Sequence, residues 1–327
     1  MEKGVSILIC THNGAERLPE TIRHIARQQT GPDLRWELVL GDNGSTDNSA
    51  AVVQDIWDAA GPEQVPFRVI TEGKPGKLYA LQKAIREARY EYLIICDDDN
   101  WLNPDYVQKV YDLLEQMPHV PSVGGYGIPA TSGIGLPEWF PRYTFAYAVG
   151  AQSPQTGMIK ARGHLWGAGL GTRRSLYLEM YSEFPSFLID SRLTDDNILS
   201  AEDTEYTLRL ILKGYRLYYD SSLIYKHFIP DFRLTEAYRD KLMQGFRSAD
   251  LVLRKYYPAV RVKTKTEGKP LLKIGLVLVS VCNLLFGFSR RRIEKARNTL
   301  FHLLPFDIPA DPISMNIKRF IAGRPPR

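Results

Sequence analysis

The 327-residue chain is poor in cysteine: Cys10, Cys96 and Cys282 are far apart and form no CxxC pair. That spacing excludes a disulfide framework and a cysteine-based zinc site, and it suits a reducing compartment. Cys10 and Cys96 lie inside apolar strand patterns, where a free thiol behaves as a small hydrophobe. Internal repeats and low-complexity tracts are absent, and so is any recognised nucleic-acid module or interleaved aromatic platform. No nucleic-acid partner is therefore expected. Neither sign of charge dominates, with a formal net charge of +5 and 24% charged residues. The 44% hydrophobic content is that of an ordinary globular protein with a sizeable core. Met1-Glu2-Lys3-Gly4 runs at once into a strand pattern, so no signal peptide is expected and the catalytic part is placed in the cytoplasm.

What is present is a strand–helix alternation in the first third. Strands are predicted over Val5–Cys10, Trp36–Gly41, Phe67–Thr71 and Tyr92–Cys96. Helices are predicted over Ala15–Gln29, Ser49–Ala60, Leu78–Ala88 and Asn103–Gln116. Short apolar strands between amphipathic helices predict an α/β fold with a mainly parallel, Rossmann-like central sheet flanked by helices. Ligands bind at the carboxyl ends of the strands in such sheets. Three of these strands end in polar clusters: Thr11-His12-Asn13, Asp42-Asn43-Gly44 and Asp97-Asp98-Asp99. From Val120 to Gly171 the pattern gives way to a Gly-, Pro- and aromatic-rich stretch suited to substrate loops. Helices are expected again at Ser175–Tyr181, Asp203–Lys213 and Leu234–Tyr256, with extended segments at Arg216–Asp220 and Ile224–His227.

The aspartate triplet carries the most chemistry. Clustered carboxylates repel and raise one another's pKa unless a cation or several hydrogen-bond donors compensate. A hard divalent cation bridging to substrate phosphates is one solution, and an acidic turn that caps the next helix is the other. Asp42–Asp47 is an ordinary turn composition when taken alone.

In chain order, Val5–Asn13, Asp42–Asp47, Asp97–Asp99, Glu202-Asp203 and His227 resemble the inverting glycosyltransferases of family 2, which have the nucleotide-sugar-binding GT-A fold. The resemblance spans roughly residues 1–232, with a nucleotide-binding half at 1–119 and an acceptor-binding half at 120–232. It implies a nucleotide-sugar donor, a UDP-sugar by preference, and a saccharide or lipid-linked acceptor. Thr11, Asn13, Asp42 and Lys77 would hold the nucleotide. The triplet corresponds to the family's DXD element: Asp99 is expected at a Mn²⁺ or Mg²⁺ ion, and Asp97 and Asp98 divide between metal and ribose, here Asp97 with the metal and Asp98 with the nucleotide. His227 matches a late metal-ligand position. Asp203 would be the base that removes the acceptor hydroxyl proton, and Trp166, Gly167, Glu202 and Arg247 would contact acceptor or sugar. Gln244-Gly245-Phe246-Arg247-Ser248 departs from the QxxRW element of processive members, which favours single-sugar transfer. The rival readings are a retaining transferase or nucleotidyltransferase on the same fold, and a catalytically silent, membrane-associated binding or scaffold subunit.

Residues 233–327 read as a C-terminal helical appendage. Arg254–Lys273 is strongly basic, Leu271–Phe288 is apolar, and Arg290-Arg291-Arg292 follows. An interfacial hairpin, a short membrane span and a buried packing helix all fit this pattern. The basic flanks favour a membrane-associating segment at about 271–292, on the inner face of the cytoplasmic membrane.

Overall fold

A run such as Val5-Ser6-Ile7-Leu8-Ile9-Cys10 has apolar residues on both faces of a strand and must be covered on both. In the computed structural model, which describes residues 2–133, 135–159, 163–188, 201–287, 289–305 and 310–326, that requirement is met. Strands β1 (Glu2–Thr11), β2 (Trp36–Asp42), β3 (Phe67–Thr71) and β4 (Tyr90–Asp97) pair in parallel in the order β3-β2-β1-β4. Helices α1 (Leu18–Ala26), α2 (Ser49–Ala60) and α3 (Lys77–Glu87) connect them. Side chains alternate across a strand, so Val5, Ile7 and Ile9 pack with α1, α2 and α4 (Tyr106–Gln116). Leu8 and Cys10 pack with α3, α5 (Arg174–Tyr181) and α6 (Glu202–Leu212) on the opposite face.

The second half joins the same sheet in mixed directions. β8 (Leu170–Arg173) runs antiparallel to β4 and to β6 (Ser122–Ala130), and β6 runs parallel to β9 (Tyr218–Phe228). β5 (Asn100–Leu102) and β7 (Gly157–Met158) add antiparallel pairs to β9. The parallel sheet expected from the alternation is thus the first four strands, and the later strands extend it. The glycines of β6 are needed for close approach: a Cβ on Gly127 would lie 2.2 Å from the Ala148 carbonyl oxygen. The two extended segments expected at 216–220 and 224–227 form the single strand β9.

The expected long helix over 234–256 forms over Glu236–Leu253, and a further helix follows it closely. α7 (Glu236–Leu253) ends and α8 (Tyr256–Thr266) begins within three residues, with Pro258 in the first turn of α8, where its missing N–H costs nothing. α8 and α11 (Pro312–Ala322) return to the core through Tyr256, Ala259, Ile317 and Phe320. α9 (Pro270–Phe286) and α10 (Arg290–Leu303) pack on each other and on α8. Along α9 only Ser280 is buried, so it is not a buried packing helix. No described helix is long and apolar enough to cross a membrane. Phe288, at the end of the apolar run, lies outside the described residues.

Candidate active site

The carboxyl ends of β1 and β4 open into a cavity of about 320 Å³. Thr11, the aspartate triplet, Lys77, Glu202, His227 and Arg233 line it. β4 delivers Asp97 at its last residue, and the tight turn into β5 buries Asp98 and Asp99. Pairing of Asn100 with His227 across β5 and β9 brings the imidazole over the triplet.

Each carboxylate has its own cation. Lys77, the first residue of α3, sits 2.5 Å from Asp97 and 3.2 Å from Glu202, so one ammonium bridges the acidic triplet and the N-terminus of α6. Asp98 is held on both oxygens: Arg17 donates to them at 3.1 and 2.7 Å, and the Thr11 hydroxyl donates at 2.7 Å. Burial pushes the Asp98 carboxyl upward, and the Arg17 fork opposes this. Asp99 lies 3.4 Å from His227 Nε2 and 2.6 Å from an Arg233 nitrogen. Burial alone would raise its pKa, but the His227 and Arg233 charges outweigh burial and hold it well below the usual carboxylate range.

A second cavity of about 660 Å³ adjoins the first and shares Lys77, Asp97, Tyr147, Glu202 and His227 with it. Trp166, Gly167, Asp203, Phe246 and Arg247 line the far side. Asp203 sits in the first turn of α6, and its carboxylate accepts the Gly167 N–H at 2.7 Å and the Thr204 N–H at 2.5 Å. A Cβ on Gly167 would lie 3.4 Å from Asp203 Cβ, an ordinary van der Waals contact, so the backbone of this loop runs directly against the Asp203 side chain. Burial, reinforced by the Glu202 charge, pushes the Asp203 carboxyl up to about 6. Such a carboxylate is ionised at neutral pH yet basic enough to accept a proton from a reacting hydroxyl. Glu202 itself is held below its ordinary value, because Lys77 outweighs the effect of burial.

α6 is anchored from behind. Glu205 and Arg209 form a fully buried pair at 3.0 Å. Arg209 also donates to the Met180 and Pro185 carbonyls and to the Tyr256 hydroxyl, and that hydroxyl donates to Glu205 at 2.7 Å. The helix that presents Asp203 is therefore tied to α8.

Of the expected site residues, Thr11, Lys77, Asp97, Asp98, Asp99, Glu202 and His227 converge on the first cavity, while Trp166, Gly167, Asp203 and Arg247 line the second. Asn13 and Asp42 line neither cavity. Asn13 is exposed, with a left-handed φ of 50°, and its side-chain oxygen accepts the Thr46 N–H at 2.8 Å. Asp42 Oδ1 accepts the Ser45 N–H at 3.2 Å. Both shape the loop after β2. Asn43 lines the cavity instead, and its amide clamps the loop before α3 through Gly76, Glu72 and Lys74. Arg17, Arg233 and Tyr147 also escaped sequence reasoning, since their value lies in partners distant in the chain.

Two groups fit a divalent metal. Asp99 Oδ1 and His227 Nε2 face each other, and the buried His227 Nδ1 has no hydrogen-bond partner. No third His, Cys, Asp or Glu among the described residues completes a ligand cluster with them. Asp97, expected as a ligand, is paired with Lys77 instead. A two-donor site of this kind suits a cation that takes its remaining ligands from substrate phosphate and water.

Known proteins agree with this architecture. The glycosyl transferase family 2 profile matches residues 6–156, and that of glycosyl transferase family group 2 matches residues 92–306. Glycosyltransferase GlyG of Streptococcus pneumoniae is 29% identical over 127 residues, 38% of this chain and 40% of that protein. The poly-beta-1,6-N-acetyl-D-glucosamine synthase of Staphylococcus aureus is 23% identical over 266 residues, 80% of this chain and 58% of the synthase. The chain thus spans about half the length of these curated relatives. In fold it is similar to the Pyrobaculum calidifontis mannosyltransferase PcManGT, solved with GDP-Man and Mn²⁺, at a TM-score of 0.51 and 17% identity over 99% of this chain and 87% of that one. With a family profile covering more than half its length across both cavities, the chain belongs to the family 2 glycosyltransferases.

Proposed function

We propose that the protein transfers a single sugar from a nucleotide-sugar, by preference a UDP-sugar, to a hydroxyl of a saccharide or lipid-linked acceptor, with inversion at the anomeric carbon. The observation that carries this reading is the junction of two cavities at Lys77 and Glu202, with Asp203 on the far side of the junction. A diphosphate in the first cavity and an acceptor in the second would place the anomeric carbon between them. Asp203 takes the hydroxyl proton as the acceptor oxygen bonds to that carbon and the bond to the diphosphate breaks. Lys77 and Arg233 lie on the side where the departing diphosphate gains charge. Asp99 and His227 would hold a Mn²⁺ or Mg²⁺ ion, which when bound neutralises charge on the leaving diphosphate.

The name of the staphylococcal relative, a poly-beta-1,6-N-acetyl-D-glucosamine synthase, supports an N-acetylhexosamine donor and a polysaccharide pathway. Ser248 at the end of the Gln244–Arg247 segment supports one transfer per acceptor. We place the protein at the cytoplasmic face of a membrane, where a lipid-linked acceptor would be met.

A screen of nucleotide-sugars for turnover, followed by NMR of the product's anomeric proton, tests the reading. An inverted configuration is expected, and retention would overturn the single-displacement mechanism. Release of pyrophosphate would identify a nucleotidyltransferase instead.

A further inference from the structure

Between Arg254 and Arg297 the chain carries twelve Lys and Arg against two Glu, whereas the remainder has thirty against thirty-five. The helices fold this charge around a feature unrelated to the active site. Two adjoining cavities, of about 480 and 370 Å³, lie among α8, α9 and α10 and share Arg261, Arg292 and Lys295. Arg291 completes the first and Lys265 the second. None of these five cations has an ion-pair partner among the described residues, although their neighbours Lys255 and Lys263 pair with Asp311 and Glu267. Glu294 is the one acid in either wall.

The placement of the arginines argues against a purely structural purpose. Arg290, Arg291 and Arg292 form the first turn of α10, where the helix dipole is positive and each cation costs roughly 0.3–1 kcal/mol. An external anion at that end reverses the sign of the effect, because the dipole and the side chains then act together. The surface beside the cavities is apolar. Nine large hydrophobic side chains of α9, from Leu271 at 83% to Val281 at 40%, are exposed, and Leu276 and Val279 of the same helix line the second cavity. A helix of this length spans about 25 Å, less than the roughly 30 Å of a hydrocarbon core.

We infer that Arg261, Lys265, Arg291, Arg292 and Lys295 form a binding site for the phosphate headgroups of an anionic bilayer, with α9 lying in the interface alongside. This deepens the membrane placement proposed above by naming the site and the lipid chemistry. Unpaired cations beside exposed apolar residues match an interface that offers phosphate and hydrocarbon together. Through Tyr256, α8 also connects this surface to the helix that carries Asp203.

Flotation of the full chain with phosphatidylcholine vesicles, with and without phosphatidylglycerol, tests the site. Capture is expected only with phosphatidylglycerol. Arg291→Gln with Arg292→Gln should weaken capture about twenty-five-fold, at about a factor of five per cation removed. Both arginines are exposed and oppose the dipole, so the variant is expected to keep its thermal midpoint. Arg23→Gln with Arg35→Gln removes two cations that have acidic partners, Glu20 and Glu2, and should change capture less than twofold. Equal weakening by the two double variants would overturn the site in favour of diffuse attraction. Equal capture by uncharged vesicles would overturn it as well. Saturable binding of inorganic phosphate without vesicle capture would reassign the cavities to a soluble anion and overturn the bilayer. Nucleotide-sugar turnover read in the same samples separates this inference from the catalytic one: turnover without capture sinks only the lipid site.

Discussion

The active-site cleft and the C-terminal helices are both rich in charge, but they use it in opposite ways. In the first cavity and its wall each lysine and arginine among the described residues has a matching acid: Arg17 with Asp98, Lys77 with Asp97 and Glu202, and Arg233 with Asp99, which also faces His227. Around the α8–α10 cavities five cations have none among the described residues. A paired cluster holds its geometry before substrate arrives, and it can redistribute contacts when a diphosphate enters. An unpaired cluster gains its partner only from outside.

The comparison is broken most forcefully at the buried pair that supports the cleft. Arg209→Met leaves Glu205 without its cation in a fully buried position, and about 3–5 kcal/mol of stability should be lost. Chemical denaturation measures this, and a loss below 1 kcal/mol would show that the pair is dispensable. Lys77→Met should have the next largest effect. It leaves Asp97 and Glu202 facing the proposed donor cavity uncompensated, so kcat/KM should fall about 10- to 100-fold, mostly through KM. An unchanged KM would remove Lys77 from the diphosphate side.

A smaller shift sharpens the acceptor side. Asp203 must be ionised to act as base, and its pKa is raised to about 6, so kcat/KM should rise with pH through about 6 and then level. Removing the neighbouring negative charge by Glu202→Gln favours ionised Asp203, and the rising limb should move to lower pH. A limb that stays in place would separate it from Asp203.

Much of the parallel half was legible because each strand is a continuous apolar run bounded by turn residues, and the run itself specifies burial on both faces. β5 and β8 were not: with Asn100–Leu102 and Leu170–Arg173 they are too short to show a period. β6 hides behind Gly124, Gly125 and Gly127, whose presence reflects neighbouring backbone rather than strand propensity. The end of α7 did leave a signal in Pro258, which cannot sit in a helix interior but fits the first turn of a new one.

In the site, residues at strand ends were legible because topology alone brings them to one edge. Their partners were not. Arg17 and Arg233 lie 81 and 134 residues from the aspartates they bind, and no local pattern marks them. Asn13 shows what strand-end position alone leaves out: it lies outside the lining of both cavities, and its side-chain oxygen accepts the Thr46 N–H of the neighbouring loop.

The measurement that bears most directly on the division of the cleft is a paired determination of nucleotide-sugar affinity and transfer rate for Asp203→Asn. The substitution keeps the shape of the side chain but removes the proposed base from the second cavity and leaves the acids of the first intact. Affinity should stay within a factor of about three while transfer falls on the order of 10²–10⁴-fold. Transfer at the wild-type rate would contradict the assignment of Asp203, and with it the separation of the two cavities into donor and acceptor sides.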